Sequence, residues 1–204
     1  MEFESIEKTF VMIKPDGIKR GLVGKIFSRL EEVGLKLTAC RMIMPSEEQA
    51  KKHYPGDDEA WLTKLGGKSL KNFEGQEEVL KETFGTLDAL EIGKKTFEGF
   101  VKMFRSGPAV LMVWEGNHAI SVVRKIVGYA VPDLAAPGTI RGDWAFDTPR
   151  LAVKSGRIVF TNLIHASETP EEVEAEIKNW FGDSYKDLGN YEKVDYVGAF
   201  EAFE

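Results

Sequence analysis

The sequence predicts an α/β protein: one layered sheet with helices mainly on one side of it. Three observations carry the prediction. Thr9-Phe10-Val11-Met12-Ile13 and Ala109-Val110-Leu111-Met112-Val113-Trp114-Glu115 are near-continuous apolar runs, as expected of strands buried on both faces. Each run is followed by a stretch whose apolar residues recur at helical spacing. The elements then read βαβ, a helical region and βαβα, with no internal repeat, and right-handed crossovers fold that order into a single sheet.

With 204 residues and 43% hydrophobic content the chain can bury one sizeable core, so residues 1–204 are read as one domain. The formal charge of -6 argues against a general nucleic-acid scaffold or an anionic membrane surface, and leaves room for a local basic site. Cys40, the single cysteine, lies in an apolar segment and is expected to be a buried structural thiol in a reducing compartment. No apolar run approaches the roughly 18 residues of a membrane span, and Met1-Glu2-Phe3-Glu4 does not open a signal peptide. A cytoplasmic location is the expectation.

Taken in order, the first strand ends in Lys14-Pro15-Asp16-Gly17, whose breakers leave Lys14 at its mouth. Gly21 to Gly34 reads as a helix with Val23, Ile26, Phe27, Leu30 and Val33 on its apolar side. Leu35 to Met44 is the next strand, and Ser46 with Gln49 caps a helix to about Tyr54. Pro55-Gly56-Asp57-Asp58 breaks that helix. The block from there to Lys94 is read as a helical insertion, with a short turn around Trp61, Leu62 and Leu65 before Gly66-Gly67. Thr96 to Phe104 is a helix ended by Ser106-Gly107-Pro108.

After the second apolar strand, Gly116-Asn117 turns into a helix that ends at Gly128. Pro132, Pro137, Gly138 and Gly142 mark a long loop around Arg141, a length that favours function. Trp144 to Phe160 is expected to be a hairpin-like extension turning at Lys154-Ser155-Gly156-Arg157. Ile158 to Ser167 enters as a β-like segment that delivers His165. Thr169, Pro170 and Glu172 then form a capping box for an amphipathic helix from Glu171 to Phe181. The tail, with Tyr185, Tyr191, Tyr196, Phe200 and Phe203, is expected to pack on a surface or a neighbouring subunit.

Lys14, Arg124, Arg141 and His165 each stand beside a strand end or a breaker, where α/β proteins gather ligand groups. Each alone reads equally well as a paired or solvated residue. Together, three cations around a neutral imidazole describe a polyphosphate site, in which a histidine nucleophile accepts and passes on a phosphoryl group. Glu176, on the following helix, is placed to take a hydrogen bond from one ring nitrogen and leave the other free to attack. His53, His118, His165 and Cys40 show no metal-ligand spacing. The expected divalent ion is Mg²⁺, held chiefly through nucleotide phosphates with Asp16 or Asp143 as possible protein ligands.

These residues resemble the nucleoside diphosphate kinase family. The resemblance is carried by Lys14-Pro15-Asp16-Gly17 with Arg20-Gly21-Leu22-Val23-Gly24, by Ser106-Gly107-Pro108 leading into Met112-Val113-Trp114-Glu115-Gly116, by Pro137-Gly138-Thr139-Ile140-Arg141-Gly142-Asp143, and by Asn162-Leu163-Ile164-His165-Ala166-Ser167-Glu168. It implies a ferredoxin-like αβ sandwich with a four-stranded antiparallel sheet. It implies ping-pong transfer of a γ-phosphoryl group from a nucleoside triphosphate to a nucleoside diphosphate through a phosphohistidine, with Mg²⁺. Homo-oligomers, dimer-based tetramers or hexamers, also follow from it. By motif, His165 resembles the phosphorylated histidine, Glu176 its orienting carboxylate and Ser167 the hydroxyl beside it. Lys14, Arg124 and Arg141 resemble the phosphate clamp, with Tyr54 near the phosphohistidine and Asn162 at the ribose.

The chain departs from the family pattern at several places. Thr96-Phe97 stands where the family has two phenylalanines, leaving Phe97 to stack on the base, and Ala130 replaces a phosphate-binding threonine. Loss of one neutral hydrogen bond weakens binding by about 0.5–1.5 kcal/mol, which predicts weaker affinity and not inactivity. Glu168 replaces a common aspartate. Insertions at about 55–94 and 144–161 are expected to lie on the surface or between subunits. The competing reading is a nucleotide-binding or assembly protein on the same fold with little or no turnover; a dedicated nucleic-acid site or a membrane role is disfavoured by the acidic balance.

Overall fold

The structure, a computed structural model, describes residues 6–191. Strand β1 (Ile6–Ile13) runs into the short helix α1 (Pro15–Lys19) and helix α2 (Val23–Glu31). Strand β2 (Lys36–Ile43) and helix α3 (Glu47–Lys52) follow. Three further helices, α4 (Glu59–Asn72), α5 (Glu77–Phe84) and α6 (Ala89–Phe104), fill the stretch before β3 (Ala109–Asn117). Then come α7 (Ala119–Val127), a 3-10 turn at Pro132–Leu134, α8 (Ile140–Trp144), α9 (Pro149–Lys154), β4 (Ile164–Ala166) and α10 (Pro170–Phe181).

The four strands form one sheet in the order β2-β3-β1-β4, antiparallel throughout, which is the ferredoxin-like arrangement. The inner stretches of the central strands, residues 10–13 and 109–114, are apolar throughout because both their faces are covered. Val11 and Ile13 point toward Ile26 and Leu30 of α2 and Val123 and Val127 of α7, so the two crossover helices share one face. Phe10 and Met12 point the other way, toward Phe104 of α6 and Trp180 of α10. That second face carries the candidate site. Among the described residues no helix is long and apolar enough to cross a membrane.

Several expectations need correction. The segment 144–160 is no hairpin: Thr148 accepts from Leu151 N at 3.1 Å and Pro149 takes the first helical position, so α9 forms there. Gly156, at φ 70°, ends this helical stretch where a strand turn was expected, and Val153 and Ile158 pack against Phe73, Leu80, Phe84 and Ile92. The segment before His165 is irregular up to Leu163, so β4 spans three residues only and pairs with Val11–Ile13. Helix α4 runs through Gly66-Gly67, because Gly66 lets its backbone approach Ala89 O of α6 where a Cβ would have no room.

Cys40 is exposed, since β2 is an edge strand whose outer positions face solvent. The tail lies on the chain's own sheet edge: Leu188 N donates to Thr38 O at 3.0 Å and Tyr191 Oη to Leu37 O at 2.9 Å. Tyr196, Phe200, Phe203 and Met1–Glu4 fall outside the described residues.

Candidate active site

Lys14-Pro15-Asp16-Gly17 braces the residue pair that leads into β4. Lys14 N donates to Leu163 O at 2.9 Å, and Asp16 Oδ2 accepts from Leu163 N at 2.8 Å. Leu163 holds φ 70°, a left-handed conformation that a β-rich leucine adopts only when its surroundings enforce it. Gly17 is required beneath it, because a Cβ there would come within 2.9 Å of Leu163 O. The brace sets Asn162 against Lys14 and leads the chain into β4, which carries His165.

His165 on β4 lies opposite Met12 of β1 and is almost wholly buried. Its Nε2 is 2.7 Å from Glu176 Oε1, and Ser167 Oγ donates to Glu176 Oε2 at 2.5 Å. The capped start of α10 sets this geometry: Thr169 Oγ1 accepts from Glu172 N at 3.3 Å, while the Glu172 carboxylate takes the N–H of Glu168 at 2.7 Å. The return arm of the expected capping box thus reaches one residue further back. Desolvation, with Lys14 and Arg141 close by, holds the His165 imidazolium well below its usual range, so the ring is neutral. A neutral ring that donates Nε2–H to a carboxylate carries its lone pair on Nδ1.

The cations converge on this imidazole. Lys14 Nζ donates to Asn162 Oδ1 at 2.7 Å, and Asn162 Nδ2 donates to Ala130 O at 2.8 Å. Burial and then the neighbouring Arg141 lower the Lys14 ammonium to about 7. Arg141 is bound to three backbone carbonyls, Gly128 at 2.8 Å, Ile164 at 2.7 Å and Asn162 at 3.3 Å, and burial lowers it to about 10. The same bonds lock the loop after α7 against β4. Arg124 of α7 pairs with Glu168 at 2.8 Å and is nearly half exposed. The Ala130 carbonyl, not its side chain, is what the site uses.

This is a buried, oriented imidazole among fixed positive charges, suited to accept a group from a polyanion. The nucleoside diphosphate kinase family model matches residues 7–62 and 69–185, nearly the whole described chain. The chain belongs to the nucleoside diphosphate kinase family. It is 46% identical over 176 residues to a nucleoside diphosphate kinase of Pyrobaculum aerophilum, covering 86% of this chain and 95% of that one. A Methanosarcina barkeri nucleoside diphosphate kinase is 39% identical over 196 residues, covering 96% of this chain and all of that one at 100%. The solved structure of an NDP kinase from Pyrobaculum aerophilum superposes with a TM-score of 0.82 at 43% identity, over 88% of this chain and 98% of that chain. A Borrelia burgdorferi nucleoside-diphosphate kinase structure with bound vanadate and ADP superposes at 0.71 and 32% identity, over 95% of this chain and 96% of that one.

Within this nucleoside diphosphate kinase the remaining expected residues lie as follows. Tyr54 sits 6.2 Å from the His165 ring and stacks on Trp61 at 5.6 Å; burial, then Glu176, pushes its phenol up. Phe97 and Tyr54 share the wall of a cleft of about 410 Å³ with Lys51 and Lys52, and Gly56 lies flat against the Phe97 ring. Thr96 is turned inward, its hydroxyl donating to Ile92 O at 2.8 Å.

Asp143 is engaged by Gly138 N at 2.7 Å and Arg29 at 3.1 Å. Asp16 is tied to Leu163 through one oxygen, and its other oxygen is buried without a partner. Asp16 therefore has no free oxygen at the surface, whereas Asp143 is exposed with its oxygens engaged by Gly138 N and Arg29. The one donor cluster among the described residues, His53, His165 and Glu176 within 4.8 Å of one another, is rich in nitrogen and lies beside Lys14 and Arg141. Mg²⁺ prefers oxygen donors and retains water, so this site fits it only as an ion carried by phosphate oxygens.

His53 is the residue sequence reasoning missed. The three histidines read as scattered, yet the His53 and His165 rings lie 4.3 Å apart. The only local signal was its neighbour Tyr54, since its contacts to α10 and β4 bridge more than a hundred residues.

Proposed function

We propose that this chain is a nucleoside diphosphate kinase whose phosphohistidine forms at His165, by reversible ping-pong transfer between a nucleoside triphosphate and a nucleoside diphosphate. The observation that carries the assignment is the His165 Nε2–Glu176 contact of 2.7 Å on a neutral ring, which presents the Nδ1 lone pair as nucleophile. Nδ1 attacks the γ-phosphorus, the Nδ1–P bond forms as the bridging P–O bond breaks, and the diphosphate departs with that oxygen. A second diphosphate then takes the phosphoryl group by the reverse step. Glu176 stabilises the charge that grows on the ring, and Ser167 fixes the carboxylate rotamer.

Lys14 and Arg141, with Arg124 at the mouth, neutralise the phosphate oxygens. Tyr54 walls the phosphohistidine, Asn162 contacts the ribose, and Phe97 stacks on the base. Mg²⁺, brought in with the nucleotide, would supply further neutralisation of phosphate charge. The same reading takes the chain as one domain in which about 55–94 and 144–161 are additions, and as a homo-oligomer, a dimer-based tetramer or hexamer.

The test is incubation with γ-labelled ATP and Mg²⁺, then a chase with unlabelled GDP. Acid-labile label that maps to His165, moves into GTP and is absent from His165→Asn is the expected result. Nucleotide retention without labelling would overturn the assignment in favour of a binding or assembly protein.

A further inference from the structure

His53 ends α3, and its side chain is fully buried between Tyr54, Phe104, Trp180 and His165. Its Nδ1 accepts the indole N–H of Trp180 at 3.0 Å. An indole nitrogen can only donate, so Nδ1 must hold a lone pair and the ring proton sits on Nε2. Among the described residues that Nε2 has no hydrogen-bond partner. Leaving a buried N–H unpaired is unfavourable, and a protein that keeps one invites a functional explanation.

The explanation lies at Glu176 Oε1, which is 2.7 Å from His165 Nε2 and also 3.5 Å from His53 Nδ1. Two imidazoles therefore face one carboxylate oxygen. If His53 carried a proton on Nδ1, it would compete for Oε1. His165 would then be free to place its own proton on Nδ1 and lose its nucleophile. Trp180 forbids this arrangement by occupying His53 Nδ1.

We propose that Trp180 and His53 are positioning residues: the indole N–H fixes His53 as the Nε2–H tautomer, which reserves Glu176 Oε1 for His165 and keeps the His165 Nδ1 lone pair aimed at the substrate. The inference rests on His165 being the nucleophile. The charged and titratable groups around His53 are Glu176 on α10, His165 on β4, Lys14 after β1 and its own neighbour Tyr54. Of these only Glu176 favours a protonated His53, whereas Lys14 and His165 oppose it along with burial.

The test uses the full chain and two independent readouts. In ¹⁵N-edited spectra of the histidine rings, the wild-type protein should show His53 and His165 both as Nε2–H tautomers. Trp180→Phe keeps an aromatic ring and removes the donor. It should move His53 to an Nδ1-protonated form and slow phosphohistidine formation by roughly tenfold, in line with the loss of an orienting partner, with the nucleotide KM unchanged.

Its pH profile should gain an acid limb, because His53 can then take up a proton and pair with Glu176. Adding His53→Phe to Trp180→Phe should remove that limb. A wild-type His53 found with its proton on Nδ1, or a Trp180→Phe protein that is slowed with no change in pH profile or His53 tautomer, would overturn the proposal. Absence of label from the wild-type protein would instead strike the assignment of His165 as nucleophile, so the two failures are distinct.

Discussion

A lysine buried beside an arginine cannot keep its ordinary proton affinity. Lys14 is held near 7 first by desolvation and then by Arg141, with Asp16 partly opposing them. Its charge is therefore present below that value and lost above it. Bound phosphate restores the charge, so diphosphate binding should draw in a proton at about pH 8 and almost none at about pH 6. His165 is neutral across this interval and adds nothing to the count.

ADP calorimetry in buffers of different ionisation enthalpy reads the uptake directly, and Lys14→Met should abolish it. Equal uptake in the variant would assign the proton elsewhere. Lys14, Arg141 and His165 were legible in the sequence because each stands at a strand end or a breaker, where charge is conspicuous. The brace of Asp16 on Leu163 and the bond from Trp180 to His53 were not, since they join residues 147 and 127 positions apart.

Among the elements, those with strong caps were legible. Ser46 and Gln49 form both arms of their capping box, and Thr169-Pro170 starts α10 as expected. Thr148-Pro149 carries the same signal, but apolar runs on either side of the Lys154-Ser155-Gly156-Arg157 turn read as a hairpin, and the structure forms α9 there. Gly66-Gly67 reads as a break in sequence because glycine weakens a helix, whereas in the fold Gly66 enables packing. Gly66 and Gly93 are reciprocal: a Cβ on Gly66 would lie 1.8 Å from Ala89 O, and one on Gly93 would lie 1.9 Å from Leu62 O.

Helices α4 and α6 therefore touch backbone to backbone, and a methyl group must push them apart. Gly93→Ala should destabilise the fold by about 1–3 kcal/mol despite its better helix propensity. Urea unfolding measures this as a lower midpoint at constant slope. An unchanged midpoint would show that the two helices are not in the close contact described.

At the scale of the whole molecule, the sheet and its two helical layers hold three irregular stretches, each pinned by one aspartate. Asp143 caps the loop after α7 through Gly138 N and Arg29. Asp147 takes both arms of Arg157, at 2.5 and 2.9 Å, together with the N–H and hydroxyl of Thr161, and so fixes the run from α9 into β4. Asp187 joins Lys8 and Gly189 N, holding the tail on the edge of β2.

All three carboxyls lie below their usual 3.8. For Asp143 the cause is Gly138 N–H and then Arg29; for Asp187 it is Lys8 and then Gly189 N–H. For Asp147 burial pushes upward, and Arg157 with Thr161 outweighs it. A depressed carboxyl stabilises the fold above its unfolded value and loses that contribution as pH falls through the folded one. Glu176 works in the opposite sense, because burial raises it, whereas His53 and His165, held neutral by burial, weaken the site as pH falls below the ordinary histidine range.

The prediction is a stepwise acid transition. As pH falls through the depressed range of these carboxyls, the loop at 132–143, the run at 147–161 and the tail at 185–191 should exchange amide hydrogens freely while β1 and β3 remain protected. Asp147→Asn should move the release of the second stretch to neutral pH without moving the other two. Simultaneous loss of protection in β1, β3 and all three stretches would mean that the aspartates act on the global fold and not as separate pins.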